Sequence, residues 1–244
     1  MKHLIFIFSA WFVAAFAPLA VADMSGAPVK GPTVVELFTS QGCSSCPPAD
    51  AFIGELADRR DVLPLSFHVD YWDYIGWKDP FADPDHTRRQ RTYAHRFRQR
   101  SVYTPQVVVH GTYEGVGSDR RSVNRLITKA RNQGRSIAVN LNRDGDGLKV
   151  HLPETHPGVE AEVLLVLYDS EHVTKVRRGE NRGETLINRN VVRSMVSLGT
   201  WDGMETAFHV DASRLDAAGD ACAVLLQEPH GGVIVGAAWT KMAR

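Results

Sequence analysis

The stretch TVVELFTSQGCSSCPPAD, residues 33–50, decides the fold. Its first seven residues are β-branched or apolar apart from Glu36 and read as a buried strand. Gln41-Gly42 breaks that run, and Cys43-Ser44-Ser45-Cys46 follows. Beyond the cysteines, Phe52, Ile53, Leu56 and Ala57 recur at helical spacing, which predicts a helix over residues 43–59. Residues 62–69 (VLPLSFHV) predict a second strand, irregular at Pro64. Strand, helix, strand is the parallel crossover unit, which is almost always right-handed.

Two cysteines three residues apart at a helix start can close a small disulfide ring. The first also lies near unpaired backbone N–H groups and the positive end of the helix dipole. Both favour the thiolate, the reactive form. Cys43 is therefore the candidate nucleophile and Cys46 the candidate resolving thiol. Pro47 and Pro48 are tolerated in a first helical turn. Zinc sites use the same spacing but need a second ligand pair, and the sequence has no second such motif. A purely structural bridge closing so small a ring would constrain little of the unfolded chain. Redox chemistry is the leading reading, with metal handling and an inert pair left open.

Working outward, residues 70–85 (DYWDYIGWKDPFADPD) form a long loop rich in aromatics. Trp72, Tyr74 and Trp77, with Tyr103 further on, are candidate substrate-binding residues, because aromatics anchor interfaces. They suit packing between two domains equally well. Residues 86–100 predict a basic helix, which more often is a solvated face than a binding surface. His68 and Asp70 close the second strand at the edge where α/β sites lie. Residues 102–110 (VYTPQVVVH) predict a third strand carrying Pro105, residues 112–116 a hairpin partner, and residues 119–133 a helix ended by Gly134.

After Gly134 the chain reads as strand after strand, over residues 137–142, 148–152, 161–168, 173–176, 191–198, 206–210, 221–227 and 233–239, separated by turn signals. That spacing suggests a sandwich or barrel. The expected organisation is an α/β unit at 23–134 followed by a mainly antiparallel β, sandwich-like domain at 135–244. Cys222 lies in an apolar strand, where a free cysteine is usually inert core. The polar loop 178–183 reads as a long turn, with a place at the domain interface as a hypothesis.

The start of the chain sets the compartment. Met1-Lys2-His3 is basic, residues 4–18 are almost wholly apolar, and Ala20-Val21-Ala22 offers small residues for cleavage. This predicts a secretory leader, residues 1–22, removed before Asp23, with an uncleaved anchor as the alternative. The mature chain is expected in a periplasmic or secreted location, off the membrane. With 28 basic and 28 acidic residues the net charge is zero, so no global field draws it to nucleic acid.

Resemblance adds to this reading. Thr104-Pro105, followed by Gln106-Val-Val-Val109 and the Gly111 turn, resembles the cis-proline strand of thioredoxins, whose loop faces the cysteine pair and receives the substrate chain. Thioredoxins also carry a buried acid in the strand before the pair, which moves protons for the resolving cysteine. Glu36 is the counterpart here, offset by one position, with a solvent-facing or salt-bridged glutamate as the alternative reading. The run 35–50, with Phe67-His-Val-Asp-Tyr-Trp-Asp73, Gly76-Trp-Lys-Asp-Pro80, Tyr103-Thr-Pro-Gln106 and Gly179-Glu-Asn181, resembles a secreted, thioredoxin-like bacterial family of unassigned function. The resemblance implies fold and export but no substrate.

The expected activity is that of a thiol–disulfide oxidoreductase, acting through Cys43 and Cys46 on exported protein thiols or disulfides or on a small thiol. No cofactor beyond the redox-active Cys43–Cys46 disulfide is expected. One alternative is a Cu(I) metallochaperone using both thiolates and His68 or His110, since Cu(I) is a soft ion. Another is a binding protein on a non-catalytic scaffold.

Overall fold

A computed structural model describes residues 31–133, 136–155, 158–215 and 219–242. The expected leader therefore lies outside the described residues, as does Gly134. Strand β1 (Thr33–Thr39) runs parallel to β2 (Val62–His68), and helix α1 (Pro47–Ala57) connects them. Alternation along β1 sorts its side chains between two faces. Val35 and Leu37 pack with Phe52, Ile53 and Leu56 of α1. Val34 and Phe38 point the other way, where helix α2 (Pro84–Arg96) covers them with Tyr93. Helix α2 starts two residues earlier than expected. The Asp83 carboxylate caps it by accepting the Asp85 N–H at 2.8 Å, and Pro84 fits its first turn.

Strand β3 (Gln106–Val109) pairs antiparallel with β1 and forms a hairpin with β4 (Tyr113–Val116). Helix α3 (Arg120–Gln133) joins α1 on its face of the sheet through Val123 and Ile127.

The second half holds β5 (Asn140–Asp144), β6 (Gly147–Leu152), β7 (Ala161–Lys175), β8 (Thr185–Trp201), β9 (Thr206–Val210), β10 (Ala221–Gln227) and β11 (Ile234–Lys241). Strand β7 merges two expected strands, and β8 extends well past both ends of its expected span. The polar run 169–172 looks like a turn in sequence. In the hairpin it is paired across strands instead, Asp169 with Arg193 at 2.9 Å and Glu171 with Arg189 at 3.4 Å. Such cross-strand charge pairs keep polar residues in a strand.

Eight strands share one sheet, in the order β11-β10-β7-β8-β2-β1-β3-β4. The boundary expected near residue 134 therefore does not divide the sheet. The two halves meet at β2 and β8, whose ladder is the single parallel pair Ser66↔Val191. Pro64 has no N–H to donate. Side chains bridge the seam instead: Asn190 Nδ2 donates to the Pro64 carbonyl at 2.8 Å, and Ser66 Oγ to that of Arg189 at 2.8 Å. A second sheet, β5-β6-β9, covers the far end of the first and encloses Trp201, Leu165, Val224 and Cys222. The second half is thus layered and antiparallel, as expected.

Candidate active site around the Cys43–Cys46 disulfide

Cys43 and Cys46 are joined in a disulfide, their Cα atoms 5.5 Å apart. Cys46 is fully buried and Cys43 is 2% exposed, so only Cys43 reaches the surface. The helix starts at Pro47 rather than at Cys43, and residues 43–46 form a turn closed by the Cys46 N–H to the Cys43 carbonyl at 3.2 Å. This revises the expected helix-end effect. Pro47 and Pro48 lack N–H groups, and those of Ala49 and Asp50 both bond to the Cys46 carbonyl. Few free donors remain for a thiolate.

The sulfur finds its donors elsewhere. The Thr104 hydroxyl donates to Cys43 Sγ at 3.2 Å and accepts the Trp72 indole N–H at 2.7 Å. Ser45 Oγ lies 3.3 Å from the same sulfur. The Thr104-Pro105 bond is cis, as expected from its setting.

The tip of the β7–β8 hairpin, residues 176–184, straps across the cysteine turn. Asn181, itself buried, donates from Nδ2 to the carbonyls of Gln41 at 2.9 Å and Cys43 at 3.0 Å. The Glu180 carboxylate accepts the Ser44 N–H at 3.2 Å. Gly179 has φ +76°, and a Cβ there would lie 3.0 Å from that of Trp77, so the close approach needs glycine. Trp77 in turn donates its indole N–H to Gln41 Oε1 at 3.2 Å.

Beneath the turn lies a buried polar network. Asp79 Oδ2 accepts the Gln41 N–H at 2.7 Å and pairs with His68 Nδ1 at 2.7 Å, both side chains wholly buried. Gln41 Nε2 donates to Asn188 Oδ1 at 2.9 Å, and Thr39 Oγ1 donates to Asp50 Oδ1 at 2.8 Å. Burial favours the neutral acid and pushes the Asp50 carboxyl up to about 6, against the opposing pull of His68 and Thr39. Burial opposes charge on His68 too, but Asp79 more than offsets it, so the imidazole sits above its ordinary value. Burial likewise works against the Asp79 carboxylate, yet His68 and the N–H groups of Gln41 and Phe81 hold it below the usual range.

The other expected residues lie as follows. Glu36 faces α2, on the opposite side of β1 from the α1 packing. Its carboxylate takes Arg89 Nε at 2.6 Å and the Tyr93 hydroxyl, so it is a structural ion pair and not a partner of Cys46. Strand alternation is the reason, since Val35 and Leu37 already occupy the α1 side. Trp72 and Trp77 reach the site, whereas Tyr74 is 81% exposed and Tyr103 bonds to Glu114 at 2.6 Å. His110 accepts the Val34 N–H at 3.3 Å, and burial lowers its pKa to about 4. Among the described residues no group of three His, Cys, Asp or Glu side chains is placed to hold a metal ion, so Cys43, Cys46 and His68 are not brought together as ligands. Cys222 is free and buried, and burial pushes its thiol up to about 11. Sequence reading missed Asp50, Gln41, Asp79, Asn181 and Asn188. Only Asp50 carried a usable signal, following Cys46 by one helical turn.

Fold and site together define a mixed α/β protein built on a large, mostly antiparallel sheet, with a covered C-x-x-C disulfide where its parallel strands end. The chain belongs to the family described as protein of unknown function (DUF1223), whose model matches residues 34–227. A crystal structure from Agrobacterium tumefaciens, a structural-genomics target, is 33% identical with a TM-score of 0.78, covering 89% of this chain and 97% of its own. HBP35 of Porphyromonas gingivalis is 13% identical with a TM-score of 0.57, covering 87% of this chain and 76% of its own, a likeness of fold alone. No curated protein matches the sequence.

Proposed function

We propose that the protein is an exported thiol–disulfide exchange protein with a thioredoxin-like core. The arrangement of β2-β1-β3-β4, with α1 and α3 on one face and α2 on the other, supports the core assignment. The leader expected in residues 1–22 supports export to a compartment where disulfides persist.

The observation that carries the reading is the chain of donors from Trp72 through Thr104 to Cys43 Sγ. A hydroxyl aimed at sulfur is a weak bond to a disulfide and a strong, charge-assisted one to a thiolate. It therefore favours the state in which Cys43 is nucleophile or leaving group. In the forward step a substrate thiolate attacks Cys43 Sγ, the Cys43–Cys46 bond breaks, and its electron pair leaves on Cys46. A second substrate thiolate then displaces Cys43, so the substrate gains a disulfide and the protein holds two thiols. The reverse sequence reduces a substrate disulfide.

The test is Cys46→Ser, which leaves Cys43 without its resolving partner. Mass spectrometry of the exported fraction is expected to recover partners joined to Cys43. Recovering no adduct under either oxidising or reducing conditions overturns the reading.

A further inference from the structure

Three buried side-chain atoms among the described residues have no protein partner: Asp50 Oδ2, His68 Nε2 and Asn188 Nδ2. Leaving such a group unsatisfied forfeits its hydration without replacement, so native proteins rarely do so without cause. The three are not scattered. Asn188 bonds to the side chain of Gln41, whose backbone N–H bonds to Asp79, the partner of His68. Asp50 hangs from Thr39, the residue paired with His68 across β1 and β2. His68 and Asp50 act on one another electrostatically. All three orphans therefore belong to one cluster beneath the cysteine turn.

The cluster also lies one helical turn from the resolving cysteine. Cys46 has helical φ and ψ, and the Asp50 N–H bonds to its carbonyl at 3.1 Å. Residues so related share a helix face, with Cβ atoms about 5–6 Å apart.

We propose that Asp50 is the proton-transfer group for Cys46, positioned by the His68–Asp79 pair, and that the three unpartnered atoms bound a site for water that carries the proton. The inference rests on the exchange reading and adds its missing proton. When the disulfide opens, Cys46 leaves as a thiolate and takes a proton from the neutral Asp50 carboxyl. When the bridge re-forms, the Asp50 carboxylate removes that proton, the Cys46 thiolate attacks Cys43 Sγ, and the substrate thiolate leaves. Asp50 passes only a proton, and the electrons pass between the protein and substrate sulfurs, so no further oxidant or reductant is needed. Asp50 meets Thr39 from β1 and the charges of His68 from β2 and Asp79 from the aromatic loop, and Arg193 of β8 acts on His68.

Cys43→Ser presents Cys46 as a free thiol, and the test compares it with the disulfide form and with the double variant Cys43→Ser, Cys46→Ser. Carbon-13 titration of the Asp50 carboxyl is expected to show no inflection in the thiol range in the disulfide form or the double variant. In Cys43→Ser the curve is expected to shift and gain an inflection there, the behaviour of coupled sites. Adding Asp50→Asn to Cys43→Ser is expected to lower the Cys46 pKa, read as thiolate absorbance, because the neighbouring negative charge is gone. Superimposable Asp50 curves in all three proteins, or an unchanged Cys46 pKa, overturn the proposal. Mixed disulfides at Cys43 with uncoupled titrations remove the relay alone. Coupled titrations without any mixed disulfide remove the exchange reading alone.

Discussion

Thr104 and Asp50 address the two sulfurs from different sides. The Thr104 hydroxyl serves Cys43. A bond to a charged group contributes about 1.5–3 kcal/mol. Thr104→Val in a Cys46→Ser background is therefore expected to raise the Cys43 pKa and slow its alkylation at neutral pH by at least tenfold. Asp50 affects stability as well as chemistry. Its pKa is raised from 3.8 to about 6, so the folded state keeps a proton that the unfolded chain releases between those values. Stability then falls as pH rises through that window and levels off above it. The full interval corresponds to roughly 3 kcal/mol. Asp50→Asn lacks the titration, so denaturant melts of the disulfide form are expected to show it gaining on the wild type from pH 4 to 6 and holding that margin. The His68–Asp79 pair runs oppositely at its two ends. Asp79 loses its contribution as pH falls below the carboxylate range, and His68 loses its contribution as pH rises through its elevated pKa. Glu36 gives the contrasting case of a buried acid without a role at the sulfurs. Glu36→Gln takes the buried counter-ion from Arg89, so a loss of about 3–5 kcal/mol is expected, with mixed-disulfide formation at Cys43 unchanged where the variant is folded.

Among the elements, the β7–β8 hairpin does the least expected work. Asn181 satisfies two backbone carbonyls in the cysteine turn, and Asn181→Ala removes both bonds. A loss of about 1–3 kcal/mol is expected, together with faster reduction of the Cys43–Cys46 bond by a phosphine, followed by thiol counting. The elements that carry the site's frame were legible. TVVELFT is a strand by composition, and Phe52, Ile53 and Leu56 mark a helix by spacing. Those patterns come from burial, and burial writes itself into apolar periodicity. The strap was not legible, because its strands continue through the polar run 169–172 and hold there by pairing with Arg189 and Arg193 on another segment. The buried network was hidden for a related reason. Gln41, Asp79 and Asn188 are ordinary loop and strand polar residues until the fold brings them together.

For the whole molecule, one apolar layer spans both halves of the chain. Val34, Phe38 and Phe67 from the first half share a core with Leu164, Val166, Ala223 and Ile234 from the second. A fragment ending at residue 133 would expose that layer and the open side of β2 to water. It is expected to give a collapsed, loosely packed product, seen as loss of near-ultraviolet dichroism and of dispersed amide resonances. A fragment with native-like spectra would show that the first half is an autonomous unit despite the shared sheet.

The strap also has a consequence in time. Asn181 lies 138 residues after Cys43 in the chain, so both cysteines are made long before the segment that covers them. Chains fold from their first residues onward as they are synthesised. During that interval the pair lacks its cover, and closure of the hairpin narrows the access to Cys43. A bond formed in that interval forms without the strap, whereas any later reaction of the same bond must work past it.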